Sequence, residues 1–196
     1  MCHGILGTSN FWSLLFRIDD DLAARTRAAG CLYCGGVLHS ADYPRKPRGV
    51  VGSLLGEGCA RRLSLCCAQE GCRRRHTPPS VRFLGRRVFL GAVVVLVTAL
   101  AQGLTGRRVA ALREQFGVSE RTLRRWRRWW REQFAATSLW KALRGRFMPP
   151  MPEACLPRGL LERCSGENES SRLVALLRLL SPLSCPLGSS LSREGG

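Results

Sequence analysis

Nineteen consecutive residues, Val88–Gly106, carry no charge, and Arg86-Arg87 and Arg107-Arg108 bracket them. Such a stretch either crosses a lipid bilayer or is buried inside a folded domain. Crossing takes about 20 predominantly apolar residues. Here the strongly apolar part, Val88–Ala101, has 14 residues, and Gln102, Thr105 and two glycines dilute its end. Both flanks are equally basic, so no charge asymmetry sets an orientation. Within the apolar segment 81–104, the uncharged stretch Val88–Gly106 is therefore expected to form a core helix that feeds the helices after it. A single-span membrane protein is the less favoured alternative.

The charge around this segment is unevenly placed. The 196-residue chain has 31 Lys+Arg against 14 Asp+Glu, net +17, and 29 of the cations are Arg. Residues 41–87 carry net +8 and residues 107–146 net +9, while 1–40 and 147–196 are each neutral. Two basic blocks on either side of an apolar segment point to a polyanionic partner. Hydrophobic residues make up 45% of the chain, which excludes full disorder.

Periodicity divides the rest. Between Asn10 and Ala29, Phe11, Leu14, Leu15, Ile18 and Leu22 recur at helical steps, and Gly30 closes the segment. Residues 30–80 hold many Gly, Pro and Cys and no sustained period; Val50–Leu55 and Arg62–Cys66 are the best strand candidates. Thr77-Pro78-Pro79-Ser80 reads as an extended connector, because proline disfavours helix in the residue before it. After Met148 the chain turns Pro-rich, with one expected helix at 170–180 stopped by Pro182. The expected organisation is an N-terminal helix (1–30), a zinc-binding basic region (31–80), a helix-turn-helix domain (81–146) and a Pro/Ser/Gly-rich tail with one helix (147–196).

Segment 106–130, GRRVAALREQFGVSERTLRRWRRWW, predicts two helices, 107–116 and 120–134, joined by a tight turn. Gly117 sits at the joint, where glycine adopts a positive φ cheaply. Val118 plugs the turn, and Ser119 can cap the second helix by accepting a backbone N–H. Leu112, Phe116, Val118, Leu123 and Trp126 fall where the shared core of a helix-turn-helix lies. Arg121, Arg124, Arg125 and Arg128 occupy the opposite face, and Glu120 opens the helix. Such a row can donate to guanine edges and neutralise phosphates. Arg107 and Arg108 extend the basic surface. Arg113 stands four before Gly117, where a small residue is usual, and is expected to run outward. Trp126, Trp129, Trp130 and Trp140 are expected to pack rather than stack on bases. A third basic amphipathic stretch spans 138–146.

Ten cysteines are many for 196 residues. No basic n-region or cleavage site for export is visible at the start, so the thiols are expected to stay reduced in the cytoplasm. Paired cysteines then read first as metal ligands. Cys31-Leu32-Tyr33-Cys34-Gly35-Gly36 has the C-x-x-C-G form of a zinc knuckle, and Cys67 and Cys72 form the partner pair across a 32-residue gap. Cys66 competes with Cys67 for the third position, and Cys59, His39 and His76 are further candidates. Four thiolates would make a closed, structural tetrahedral site. The alternatives are unmetallated core cysteines or redox thiols. A site there would fix Arg73-Arg74-Arg75 and the Tyr43–Arg48 region as a second phosphate-contacting surface.

The sequences CLYCGG at 31–36, LCCAQEGCRRR at 65–75 and FGVSERTLRRW at 116–126 together resemble the N-terminal region of bacterial insertion-sequence transposases and short transposon-associated proteins. The resemblance implies a mainly α protein: a tri-helical helix-turn-helix domain preceded by a small zinc-ribbon-like α+β region with structural Zn²⁺. It implies a sequence-specific, nucleoid-associated protein that binds duplex DNA at an element end or operator. A transposase or recombinase and a second copy of the chain are the further partners it suggests. Strand transfer is not implied: such catalysis uses three carboxylates around two Mg²⁺ ions, and after Arg131 only six Glu and no Asp remain. No other catalytic constellation is found. The competing class is a non-specific basic protein that coats RNA or DNA.

Overall fold

The helix expected near the N-terminus forms as α1 (Ser9–Ala29) and ends at Gly30. Its buried stripe is centred slightly off the expected one. Phe11, Trp12, Leu15, Ile18 and Ala23 are buried together with Asp19, Leu22 is only half-buried, and Leu14 is exposed. A carboxylate in this stripe shows that the helix packs against something other than hydrocarbon alone. The computed structural model describes residues 5–45, 60–84, 90–100 and 105–185, except the side chains of Arg108 and Gln115. The strand candidate Val50–Leu55 lies outside the described residues.

The protein is mainly helical, with a small antiparallel sheet and a cysteine cluster. It divides into two compact units, residues 1–91 with 177–196, and residues 92–176. In the first unit the strands are β1 (Leu38–Ser40), β2 (Tyr43–Pro44), β3 (Arg61–Arg62), β4 (Leu65–Cys67) and β5 (Arg75–His76). The expected strand Arg62–Cys66 is thus split in two. Its halves join different sheets: β3 pairs with β2, while β4 lies between β1 and β5. Asp42 sits at the break, its Oδ1 accepting from the Ser64 N–H at 2.9 Å.

A buried polar lock ties α1 to the extended connector. Asp19 accepts from the Ser80 hydroxyl (2.6 Å), the Val81 N–H (2.6 Å) and Arg82 Nε (2.8 Å), and both charged side chains are fully buried. Arg82 also donates to the Arg61 carbonyl at 2.8 Å, and its guanidinium lies over the rings of Phe16 and Phe83. Nearby, Arg62 donates to the Pro78 carbonyl, and Ser184 Oγ accepts from the Ser80 N–H at 2.7 Å. Ser184 belongs to a 3-10 turn, Ser181–Ser184.

In the second unit the uncharged segment contributes α2 (Gly91–Leu100), whose residues Ala92–Val97 are all buried. The core-helix expectation holds for these residues, and 88–89 and 101–104 lie outside the described residues. Among the described residues no helix is long and apolar enough to cross a membrane. Then come α3 (Gly106–Phe116), α4 (Glu120–Arg128), a π-helical turn (Trp129–Phe134), α5 (Ser138–Arg144), α6 (Arg158–Arg163) and α7 (Glu169–Leu180), of which 177–180 belongs to the first unit. The helix expected over 120–134 is therefore α-helical only to Arg128. Thr137 caps α5 by accepting from the Trp140 N–H at 3.1 Å. Trp130, Phe134 and Trp140 are wholly buried and meet edge-on or tilted, with ring centroids 4.9 Å and 5.6 Å apart. Trp126 is buried too, so these three tryptophans pack as expected, while Trp129 is only partly covered. The helix α6, too short to show a period, is not foreseen by the sequence.

Candidate functional site

The sheet decides which cysteines meet. Side chains alternate across a strand, and residues directly opposite share a face. Cys67 lies opposite Leu38, and Leu65 opposite His76, and all four are buried. Cys66 lies on the other face, opposite His39 and Arg75, which are both exposed. Its Sγ is turned toward the Arg73 carbonyl, 3.4 Å away. The choice between Cys66 and Cys67 thus falls to Cys67. His39 points away from the cluster, and Cys59 lies outside the described residues.

The sulfurs of Cys31, Cys34, Cys67 and Cys72 all lie within 4.8 Å of one another, and they could hold a metal ion. Two pairs are closer still: Cys31–Cys72 at 3.6 Å and Cys34–Cys67 at 3.4 Å. Sulfurs arranged tetrahedrally at about 2.3 Å from one ion are separated by roughly 3.8 Å. The spacing therefore needs only small adjustment around a single ion.

Two turns with the same internal wiring present these ligands. In the first, the Cys31 N–H donates to the Gly36 carbonyl (2.9 Å). In the second, the Cys67 N–H donates to the Arg74 carbonyl (3.0 Å). In both turns the acceptor stands two residues after the second cysteine, although the second turn is two residues longer. The residue directly after the second cysteine is left-handed in both: Gly35 at φ 72° and Arg73 at φ 44°. Each sulfur also accepts from the backbone N–H two residues on, those of Tyr33, Gly36, Gln69 and Arg74. Glycine at position 35 is legible in the sequence; the matching role of Arg73 is not, because arginine gives no sign of a positive φ.

The electrostatics follow from this wiring. Burial raises the Cys31 thiol, but the N–H groups of Tyr33 and Cys34, the His76 ring and the Cys72 thiol outweigh it and bring it from 9.0 down to about 6. His76 is buried with Nε2 3.2 Å from Cys31 Sγ, so it serves as a hydrogen-bond partner of a ligand. The other three move up. The Gly36 N–H favours the Cys34 thiolate, but Cys67 and burial push that thiol up. Burial likewise raises Cys67. The Arg74 N–H favours the Cys72 thiolate, but burial and the neighbouring Cys34 and Cys31 prevail. Four sulfurs this close cannot all carry charge without a cation among them. A divalent ion reverses the balance and deprotonates every ligand.

The basic residues divide by environment. Arg73 and Arg74 are exposed, and the Arg74 guanidinium lies 4.1 Å from the Tyr33 ring centroid. Arg75 is exposed but donates to the Ala41 carbonyl at 3.2 Å. In the second unit α3 ends at Gly117, left-handed at φ 60°, and Ser119 Oγ accepts from the Thr122 N–H. Leu112, Phe116, Val118, Leu123 and Trp126 are all buried, as their spacing predicts. Arg107, Arg113, Arg121, Arg124, Arg125 and Arg128 are exposed. Glu120 pairs with Arg124 at 2.6 Å, and Glu132 lies 3.9 Å from Arg128. The side chain of Arg108 lies outside the described residues.

Comparison of the chain with protein-family models, with curated proteins and with solved structures gives no match in any of the three.

Proposed function

We propose that this is a sequence-specific duplex-DNA-binding protein in which α3 and α4 act as a helix-turn-helix, α4 enters the major groove, and a zinc-bearing ribbon supplies a second contact. The observation that carries the reading is the outward row Arg121, Arg124, Arg125 and Arg128 on a helix whose other face is buried behind a left-handed Gly117 turn. A helix held this way presents guanidiniums in a fixed register, which base recognition requires. The likeness of the two cysteine turns and of FGVSERTLRRW to transposase recognition regions makes element-end DNA the first target to try. Zinc is the proposed metal because a closed set of four thiolates with no open position suits a structural Zn²⁺. Iron suits the same donors, so metal analysis and the absorption spectrum separate the two.

The test is a gel-shift titration of element-end DNA and of scrambled duplex at several salt concentrations. The expected result is tighter binding to the element end at every salt, with affinity falling steeply as salt rises. Equal affinity for every duplex removes the specificity claim. It then favours the second reading, a non-specific nucleic-acid coat, which the net charge of +17 supports.

A further inference from the structure

We propose that the first cysteine turn carries a base-stacking platform, formed by Tyr33 with Arg74, and that its ligand is single-stranded nucleic acid. Among the described residues five large hydrophobic side chains are exposed, and Leu32, Tyr33 and Val37 are three of them, at 63%, 59% and 64%. They are set on and just after one turn of six residues, Cys31–Gly36, so they lie together on this stretch of the chain. Apolar side chains concentrated like this mark a binding surface. The charges beside them indicate what binds. Arg73, Arg74 and Arg75 follow Cys72 at the end of the second turn, and Glu70 is the one acidic residue in 65–76. Arg74 lies on the Tyr33 ring itself, which gives a paired π surface of the kind on which bases stack. Arg73, next in the chain and exposed, supplies donors for an adjoining phosphate.

A metal held by the four sulfurs would make the platform rigid. Tyr33 lies between two ligands, Cys31 and Cys34, and its N–H is bonded to the Cys31 sulfur. The Arg74 N–H is bonded to the Cys72 sulfur. Both halves of the stack are therefore fixed to the same four-sulfur cluster, and little ordering is left for the ligand to bring about. An unpaired base is required because a paired one keeps its faces within the duplex. The inference rests on the four-thiolate reading of the ribbon and is independent of α4. Failure of duplex specificity would leave it standing.

The experiment uses the full metal-loaded chain and fluorescence anisotropy with a labelled oligothymidylate and an abasic strand of the same length. The unmodified protein is expected to prefer the thymidylate strand by about 5- to 150-fold, the range of one base–aromatic stack. Tyr33→Ala should abolish the preference while its metal content and duplex affinity stay unchanged, and Tyr33→Trp should keep it. Chelation of the metal should also abolish it. Equal binding of both strands by the unmodified protein, a reading that needs no variant, would overturn the proposal by reducing the site to phosphate contacts. So would a Tyr33→Ala protein that keeps its base preference. A third overturning result is self-association of the chain that Tyr33→Ala removes, with no base preference, since a second copy would then be the occupant.

Discussion

In the unit made of residues 1–91 and 177–196, the sheet strands are two or three residues long, and two cysteine turns and a buried Asp19–Arg82 pair hold the chain in place. In residues 92–176 the helices carry apolar residues at helical spacing, and an aromatic cluster of Trp130, Phe134 and Trp140 fills the interior. The first arrangement relies on a few groups that must all be present. The second spreads its stabilisation over many interchangeable contacts. Damage to one of those groups should therefore reach the cysteine cluster in the first unit, whereas damage in the second should leave that cluster intact.

Withholding the proposed metal should break the comparison most sharply. Structural zinc sites contribute about 10–16 kcal/mol of binding free energy that is also folding free energy. A chelator, or Cys34→Ser, is expected to abolish amide protection in β1, β4 and β5 while the helices of 92–176 keep theirs. Hydrogen exchange resolved by residue measures this, and equal loss in both units would refute the division.

Next in size are two core variants. Asp19→Ala leaves Arg82 buried without its counter-charge and should cost about 3–5 kcal/mol. Trp140→Ala opens a cavity and should cost about 3–5 kcal/mol. The magnitudes match but the location differs: urea denaturation of the first should lower metal retention, and that of the second should not.

Smaller effects fall on binding. Arg124→Ala and Arg125→Ala should each weaken duplex affinity by about 1–3 kcal/mol where the contact is bidentate to a base. Both side chains are exposed, so thermal stability should barely move. The gel-shift titration and a melting curve on the same samples check this.

The smallest pair sharpens the comparison by sign. Gly117 and Arg73 are both left-handed. Gly117→Ala, with no neighbour near the new methyl group, should destabilise by about 1 kcal/mol through backbone strain alone. Arg73→Gly should instead stabilise by a similar amount, about 1 kcal/mol, because it relieves that strain. Denaturation midpoints measure both.

The helical unit was far more legible than the ribbon. Leu112, Phe116, Val118, Leu123 and Trp126 could be placed in a core from spacing alone, because a helix turns residues three and four apart onto one face whatever else the chain does. Cys31 and Cys34 were legible for a similar reason: two residues between thiols fix their geometry locally. The Asp19–Arg82 lock was not legible, since 62 residues separate its partners and each looks like a surface charge. The left-handed Arg73 was equally hidden.

Local order is what the sequence settled by itself: where the helices run, which side of α4 is basic, and that Cys31 and Cys34 face one point. Tertiary structure decided the rest. It chose Cys67 over Cys66 through strand register, set His76 against the Cys31 sulfur, and left Tyr33 exposed with Arg74 on its ring. Periodicity is a property of neighbours along the chain, whereas a four-sulfur cluster or a buried ion pair exists only once distant segments have met.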